Sequence, residues 1–172
     1  SPISFFQVNP SQAGKLYDEA ALHLKNTDRV FDLYCGTGTL SLYLSQSARS
    51  GTGIESLEDA VQDARKNAAI NFIKNIDFIH TRVEDAPHLI RESSTPFTVF
   101  MNPPRGGSSP ELLNLLSQNR AEQIVYISCN PATLARDLKL LAGHGYLLSS
   151  IQPVDMFPHT SHVETVALIS RT

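Results

Sequence analysis

From residue 10 to the end of this 172-residue chain, short apolar runs alternate with stretches of helical periodicity. That alternation confines the fold to an α/β architecture, a largely parallel sheet with helices on both faces. Arg29–Tyr34 (RVFDLY), Gly51–Glu55 (GTGIE), Ile76–His80, Phe97–Met101 (FTVFM) and Gln123–Ser128 (QIVYIS) read as buried strands, with closing strands near 145–154 and 162–170. Between them lie helical segments over 39–48, near 84–92 and from Pro131 to a stop at Gly143. The clearest helix carries Leu57, Ala60, Val61, Ala64 and Ala68 at a 3.6-residue period, and Ser109-Pro110-Glu111 has the pattern of an N-cap, a first-turn proline and an acidic first turn. Ahead of the first strand, Ala13, Leu16, Tyr17, Ala20, Ala21 and Leu24 predict an amphipathic helix over 11–25. Residues 1–27 are therefore expected to form a lead segment packing on a main domain of residues 28–172.

In open sheets of this kind, ligands bind beyond the carboxyl ends of the strands. Most of the distinctive motifs fall there. Asp32-Leu-Tyr-Cys-Gly36-Thr-Gly38 turns a strand into a helix through two glycines, which permit a tight turn and a close approach of backbone amides to a ligand. A dinucleotide fingerprint would require glycine at position 41, where Ser41 stands, so a nicotinamide enzyme is disfavoured. Glu55, closing the second strand, is placed to accept hydrogen bonds from ribose hydroxyls. Glycine turn and acidic strand end together suit an adenosine-containing ligand, and a plain structural turn is the competing explanation.

Ile127-Ser-Cys129-Asn-Pro131 sets Cys129 between a strand and a helix N-terminus, whose partial positive charge favours a thiolate. Cys35 reads as an inert small hydrophobe. On the last strand Glu164 shares a face with Val166 and Leu168, where burial would raise its pKa toward that of a general base. The alternative is a rim carboxylate satisfied by His159 or His162. His144, His159 and His162 lack the spacing of a metal site, and no metal is expected. Two cysteines are too few for a disulfide scaffold, so a reducing, cytoplasmic setting is the default. No apolar run approaches the roughly 20 residues needed to cross a bilayer.

Five segments together resemble the RNA uracil-C5 methyltransferase family: Phe5-Phe-Gln-Val-Asn-Pro10, Asp32–Gly38, Asn102-Pro-Pro-Arg105, Ile127–Pro131 and His159-Thr-Ser-His-Val-Glu164. The resemblance runs from about residue 3 to 170, with the motifs in the family's order. It implies a Rossmann-like class I methyltransferase fold with a mostly parallel seven-stranded sheet. It also implies S-adenosylmethionine as cofactor and transfer of its methyl group to C5 of a uridine in ribosomal or transfer RNA. Carried over by position, Cys129 would be the nucleophile and Glu164 the proton acceptor. Gln7, Tyr34, Gly36, Thr39, Glu55 and Asn102 would contact the cofactor, and Arg105 the target nucleotide or a phosphate. The Phe5–Pro10 segment favours the ribosomal-RNA branch.

Two departures accompany the resemblance. Asn102 stands where the family usually has Asp, which removes a negative charge near a cationic cofactor. The family's N-terminal RNA-binding regions have no counterpart here, so the chain is expected to be the catalytic domain alone. Its net charge of -3 fits that expectation, because a stand-alone RNA binder normally shows a basic excess. Two other functions stay open. Asn102-Pro103-Pro104 also resembles adenine amino-group methyltransferases, although those generally carry an aromatic residue where Arg105 stands. A cofactor-binding fragment that does not act on RNA by itself is the non-enzyme alternative.

Overall fold

A computed structural model describes residues 10–22, 24, 29–91, 96–119, 121–156 and 163–172. In chain order the elements are α1 (Pro10–Leu22), β1 (Arg29–Leu33), α2 (Thr39–Leu44), β2 (Ser50–Glu55), α3 (Glu58–Ile70) and β3 (Ile76–His80). A 3₁₀ turn (Val83–Asp85) follows, then α4 (Pro87–Arg91), β4 (Phe97–Met101), α5 (Pro110–Gln118), β5 (Gln123–Ser128), α6 (Pro131–Ala142), β6 (Tyr146–Val154) and β7 (Glu164–Arg171). The strands form one seven-stranded sheet in the order β3-β2-β1-β4-β5-β7-β6. Strands β1 to β5 pair in parallel, whereas β7 runs antiparallel to both β5 and β6.

Strand alternation divides the core into two layers, because successive side chains point to opposite faces. Phe31, Leu33, Val99, Met101, Ile124, Tyr126, Ala167 and Ile169 face one way and are covered by apolar residues of α4, α5 and α6, among them Ile90, Leu112, Leu116, Leu134 and Leu141. Val30, Phe100, Val125, Ile127 and Val166 face the other way, under Leu16 of α1, Leu40 and Leu44 of α2, and Val61 and Ala64 of α3. The helices that follow β1 and β2 thus lie on one face, and those that follow β3, β4 and β5 on the other. This reversal puts the topological switch point between β1 and β4, where a crevice opens at the carboxyl ends.

The strands at 76–80, 97–101 and 123–128 coincide with their predicted limits. Several boundaries do not. The helix expected over 39–48 stops at Leu44, where Ser45 turns its hydroxyl onto the Leu42 carbonyl and Asn75 donates to the carbonyls of Ser45 and Ala48. Side chains that bond nearby backbone compete with helical hydrogen bonding, which ends the helix early. The segment expected as one helix near 84–92 is split into the 3₁₀ turn and α4. Pro87 opens α4 because it lacks the N–H that a continuous helix would need there. Helix α1 ends at Leu22 rather than 25, and the Leu24 amide closes a turn onto the Ala21 carbonyl. The first strand ends at Leu33, since Tyr34 enters the left-handed region at φ 63°. The proposed domain limit at 27/28 falls outside the described residues, but α1 contributes Ala13, Leu16 and Ala20 to the second core layer.

Gly38 is a tight joint in this framework that also needs a positive φ. Its φ is +79°, and a Cβ there would come within 2.7 Å of the Phe78 ring and 2.9 Å of the Ala64 methyl. Gly38→Ala is therefore expected to destabilise the fold by about 2–4 kcal/mol, read from the shift of the urea unfolding midpoint.

Candidate active site

The glycine turn after β1 is held from beneath and from the side. Tyr34, Gly36 and Gly38 all have positive φ, so the chain reverses sharply before entering α2. The Gly36 amide donates to Glu55 Oε2 at 3.1 Å, while Glu55 Oε1 accepts from the amides of Ser56 and Leu57 and from the Ser56 hydroxyl. One carboxylate thus ties the ends of β1 and β2 together. Oε2 accepts only one of these bonds, and a carboxylate oxygen can accept a second. A Cβ built on Gly36 would meet nothing within 4 Å, so that residue faces open space above the switch point. Asn67 fixes the turn further through its side-chain amide on the Thr37 carbonyl. Thr39 is exposed at the start of α2, 3.4 Å from Thr37 between hydroxyl oxygens.

Below the turn, Asp32 is buried and accepts a hydrogen bond of 2.5 Å from the Ser41 hydroxyl. Burial pushes its pKa up to about 7, with Glu55 adding repulsion and Ser41 opposing. Cys35 is buried beside these two carboxylates, and desolvation drives its thiol pKa far upward. That is an inert cysteine, as the sequence suggested. Tyr34 donates its hydroxyl to Glu84. Burial, with that carboxylate adding to it, raises the phenol to about 12.

Asn102 follows β4 directly. Its amide donates to the Leu33 carbonyl, which brings it beside Tyr34 across the switch point. Beyond it, Pro104–Gly107 forms a turn closed by the Gly107 amide on the Pro104 carbonyl, and Arg105 stands exposed at its tip. At the end of β5, Asn130 caps α6 by accepting from the Ala132 amide, and Pro131 occupies the first helical position. Cys129, half-buried, is the residue between strand and cap.

Glu164 arrives from the other direction. The β5–β7 ladder pairs Ser128 with Thr165, and the same register carried one residue further sets Cys129 opposite Glu164. Glu164 is only 6% exposed, and its Oε2 has no hydrogen-bond partner among the described residues. Burial raises its pKa, against the pull of the Arg105 guanidinium. The structure therefore gathers Tyr34, Gly36, Thr39, Glu55 and Asn102 around the ends of β1, β2 and β4, and Arg105, Cys129 and Glu164 around β5. Gln7, His159 and His162 lie outside the described residues. Among the described residues no three His, Cys, Asp or Glu side chains gather as a metal-ligand set.

Sequence reasoning passed over Asp137, whose carboxylate is buried at the back of this site. The signal was present: Asp137 lies three residues after Leu134 and four before Leu141, on the apolar face of α6.

This fold is that of the Rossmann-like methyltransferases. A ribosomal RNA methylase from Streptococcus thermophilus superposes with a TM-score of 0.72 over 93% of this chain and 96% of that one, at 13% identity. The family model described as tRNA (Uracil-5-)-methyltransferase matches residues 2–172, and the chain belongs to that family. An RNA methyltransferase of Clostridium acetobutylicum, itself named as uncharacterized, is 47% identical over 99% of this chain and 38% of its own length. The tRNA (uracil-54, C5)-methyltransferase of Pyrococcus abyssi, solved in complex with S-adenosyl-L-homocysteine, is 37% identical with a TM-score of 0.86. That match covers 98% of this chain and 40% of the Pyrococcus protein. The chain thus spans about two fifths of the length of these relatives.

The raised pKa of Asp32 has a consequence for stability. Its folded value of about 7 exceeds the ordinary 3.8, so the folded state holds this proton more tightly than the unfolded chain. The associated stability is complete below about pH 4 and is lost as the pH rises through about 7. Asparagine keeps the acceptor for Ser41 without titrating. The melting temperature of Asp32→Asn minus that of wild type is expected to rise by several degrees between pH 5 and pH 8.

Proposed function

We propose that this chain methylates C5 of a uridine in RNA through a covalent Cys129 adduct, with S-adenosylmethionine as the methyl donor. The observation that carries this reading is the juxtaposition of Cys129, ahead of the α6 N-terminus, with the buried Glu164 across the β5–β7 ladder. The cofactor reading is supported by the residues at the switch point. Gly36 opens onto free space, and Glu55 Oε2 keeps an acceptor site suited to a ribose hydroxyl. Tyr34, Thr39 and Asn102 border the same crevice, and Gln7 joins them by resemblance. Bound there, S-adenosylmethionine supplies an electrophilic sulfonium methyl group.

The remaining chemistry belongs to the chain. C5 of uracil is a weak nucleophile, and addition of the Cys129 thiolate to C6 gives an enolate with electron density on C5. That carbon would form the new bond to the methyl group as the methyl–sulfur bond breaks, its electron pair going to the sulfur of the departing S-adenosylhomocysteine. Glu164 then takes the proton from C5, and the electron pair left behind expels Cys129 by β-elimination, which regenerates the thiolate. A carboxylate with an unfilled oxygen and a raised pKa suits proton removal near neutrality. The target base must leave its stack to reach Cys129, which a single-stranded loop permits most readily. Ribosomal RNA is the first substrate to test, on the Phe5–Pro10 resemblance, with transfer RNA as the comparison. The net charge of -3 supports the further reading that much of the RNA affinity comes from sequence beyond this chain.

The test uses S-adenosylmethionine and RNA carrying 5-fluorouridine, whose fluorine cannot leave as a proton. A denaturation-resistant protein–RNA adduct is expected, and Cys129→Ala should abolish it. No adduct from either RNA, even with the relatives' additional regions fused to the chain, would overturn the assignment. With ordinary uridine RNA, Cys129→Ala should lower turnover by at least about 10³-fold. Glu164→Gln should slow release of the C5 proton by about 10²–10⁴-fold and accumulate the methylated adduct, which is resolved by denaturing electrophoresis.

A further inference from the structure

Asp137 accepts four hydrogen bonds, the full capacity of a carboxylate. Its Oδ2 takes the Ser108 amide at 2.8 Å and the Tyr126 hydroxyl at 2.6 Å, and its Oδ1 takes two donors of Arg136 at 2.8 and 2.7 Å. Arg136 also donates to the carbonyls of Gly106 and Ser108. From the start of the same helix, Asn130 and Thr133 donate to the carbonyl of Arg105. Gly107, at φ +76°, lies so close that a Cβ there would stand 2.6 Å from Arg136 and 2.7 Å from Asp137 Oδ2. The loop that carries Arg105 is therefore bound along its length to the helix that begins beside Cys129.

A buried carboxylate is a poor device for stability alone, since desolvation offsets much of what its bonds contribute. Helix α6 already anchors itself through Leu134 and Leu141. What Asp137 adds is a fixed position for the neighbouring loop. We propose that Asp137 is a positioning residue: it locks the Arg105 turn onto the Cys129 helix, so that the Arg105 guanidinium stays where Cys129 and Glu164 meet. The proposal rests on the reading of Cys129 and Glu164 as the reacting pair, but the placement it asserts can be measured without RNA.

The measurement is the rate of alkylation of Cys129 by iodoacetate relative to iodoacetamide, followed by peptide mapping. Cys35 is buried and does not compete. A guanidinium beside the thiolate favours the anionic reagent, so Arg105→Gln should lower the ratio by about fivefold. Asp137→Asn should lower it by a similar factor, and the double variant should fall no further than Arg105→Gln. Gly107→Ala, which pushes the loop off the same contact from outside the core, should act in the same direction and decides the matter if Asp137→Asn does not fold. Melting temperature and circular dichroism monitor the fold. The proposal is overturned if Arg105→Gln leaves the ratio unchanged, if the folded Asp137→Asn or Gly107→Ala variant does so, or if the double variant falls below both singles. A purely structural Asp137 would lower the melting temperature and leave the ratio alone. Because no RNA is involved, these outcomes are separate from failure of the 5-fluorouridine adduct, which bears on the proposed function instead.

Discussion

The antiparallel ladder between β5 and β7 is the constraint on which the proposed chemistry depends. In a sheet of parallel strands every carboxyl end lies on one edge and every amino end on the other. Strand β7 runs against that direction, so its first residue, Glu164, arrives at the edge where β5 delivers Cys129. Buried hydrogen-bonded pairing on both sides of β7 fixes the register, since a slip of one residue would turn Val166 out of one core layer and Ala167 out of the other. The packing that stabilises the domain thus also sets which carboxylate stands across from the thiol.

Three buried carboxylates illustrate how environment divides labour among chemically similar groups. Asp137 has every acceptor site filled and ties the loop after β4 to strand β5 and helix α6. Asp32 keeps a short bond to Ser41 beneath the glycine turn, and its raised pKa reflects burial without a cationic partner. Glu164 alone has an oxygen with no partner among the described residues. A polar atom left unfilled in a folded core costs stability. The unfilled oxygen of Glu164, on the strand that faces Cys129 across the ladder, is what supports its proposed role as proton acceptor.

Much of this was legible along the chain. The strands at 76–80, 97–101 and 123–128 announced themselves because buried parallel strands are short apolar runs bounded by breakers. Ser109 was readable as a cap because a proline follows it directly. The misjudged boundaries have local causes with non-local partners. Helix α2 ends early through Asn75, thirty residues from Ser45 in sequence, and Pro87 divides a segment whose apolar spacing alone suggested one helix. Asp137 was overlooked for a related reason: its spacing marked it as a core position, and its purpose appears only once the loop after β4 is laid against it.

The sequence by itself determined the alternation of strands and helices, the glycine turn with its acidic partner Glu55, and the chemical types of the candidate reacting groups. Those follow from periodicity, from the φ that only glycine adopts freely, and from the intrinsic reactivity of a thiol and a carboxylate. Tertiary structure decided which of these groups meet. The reversal of strand order between β1 and β4 opened the crevice, the reversed direction of β7 set Glu164 opposite Cys129, and the side chains of α6 drew the Arg105 loop to the same place. Each is a pairing between segments distant in the chain, fixed by burial and hydrogen bonding that no local pattern records.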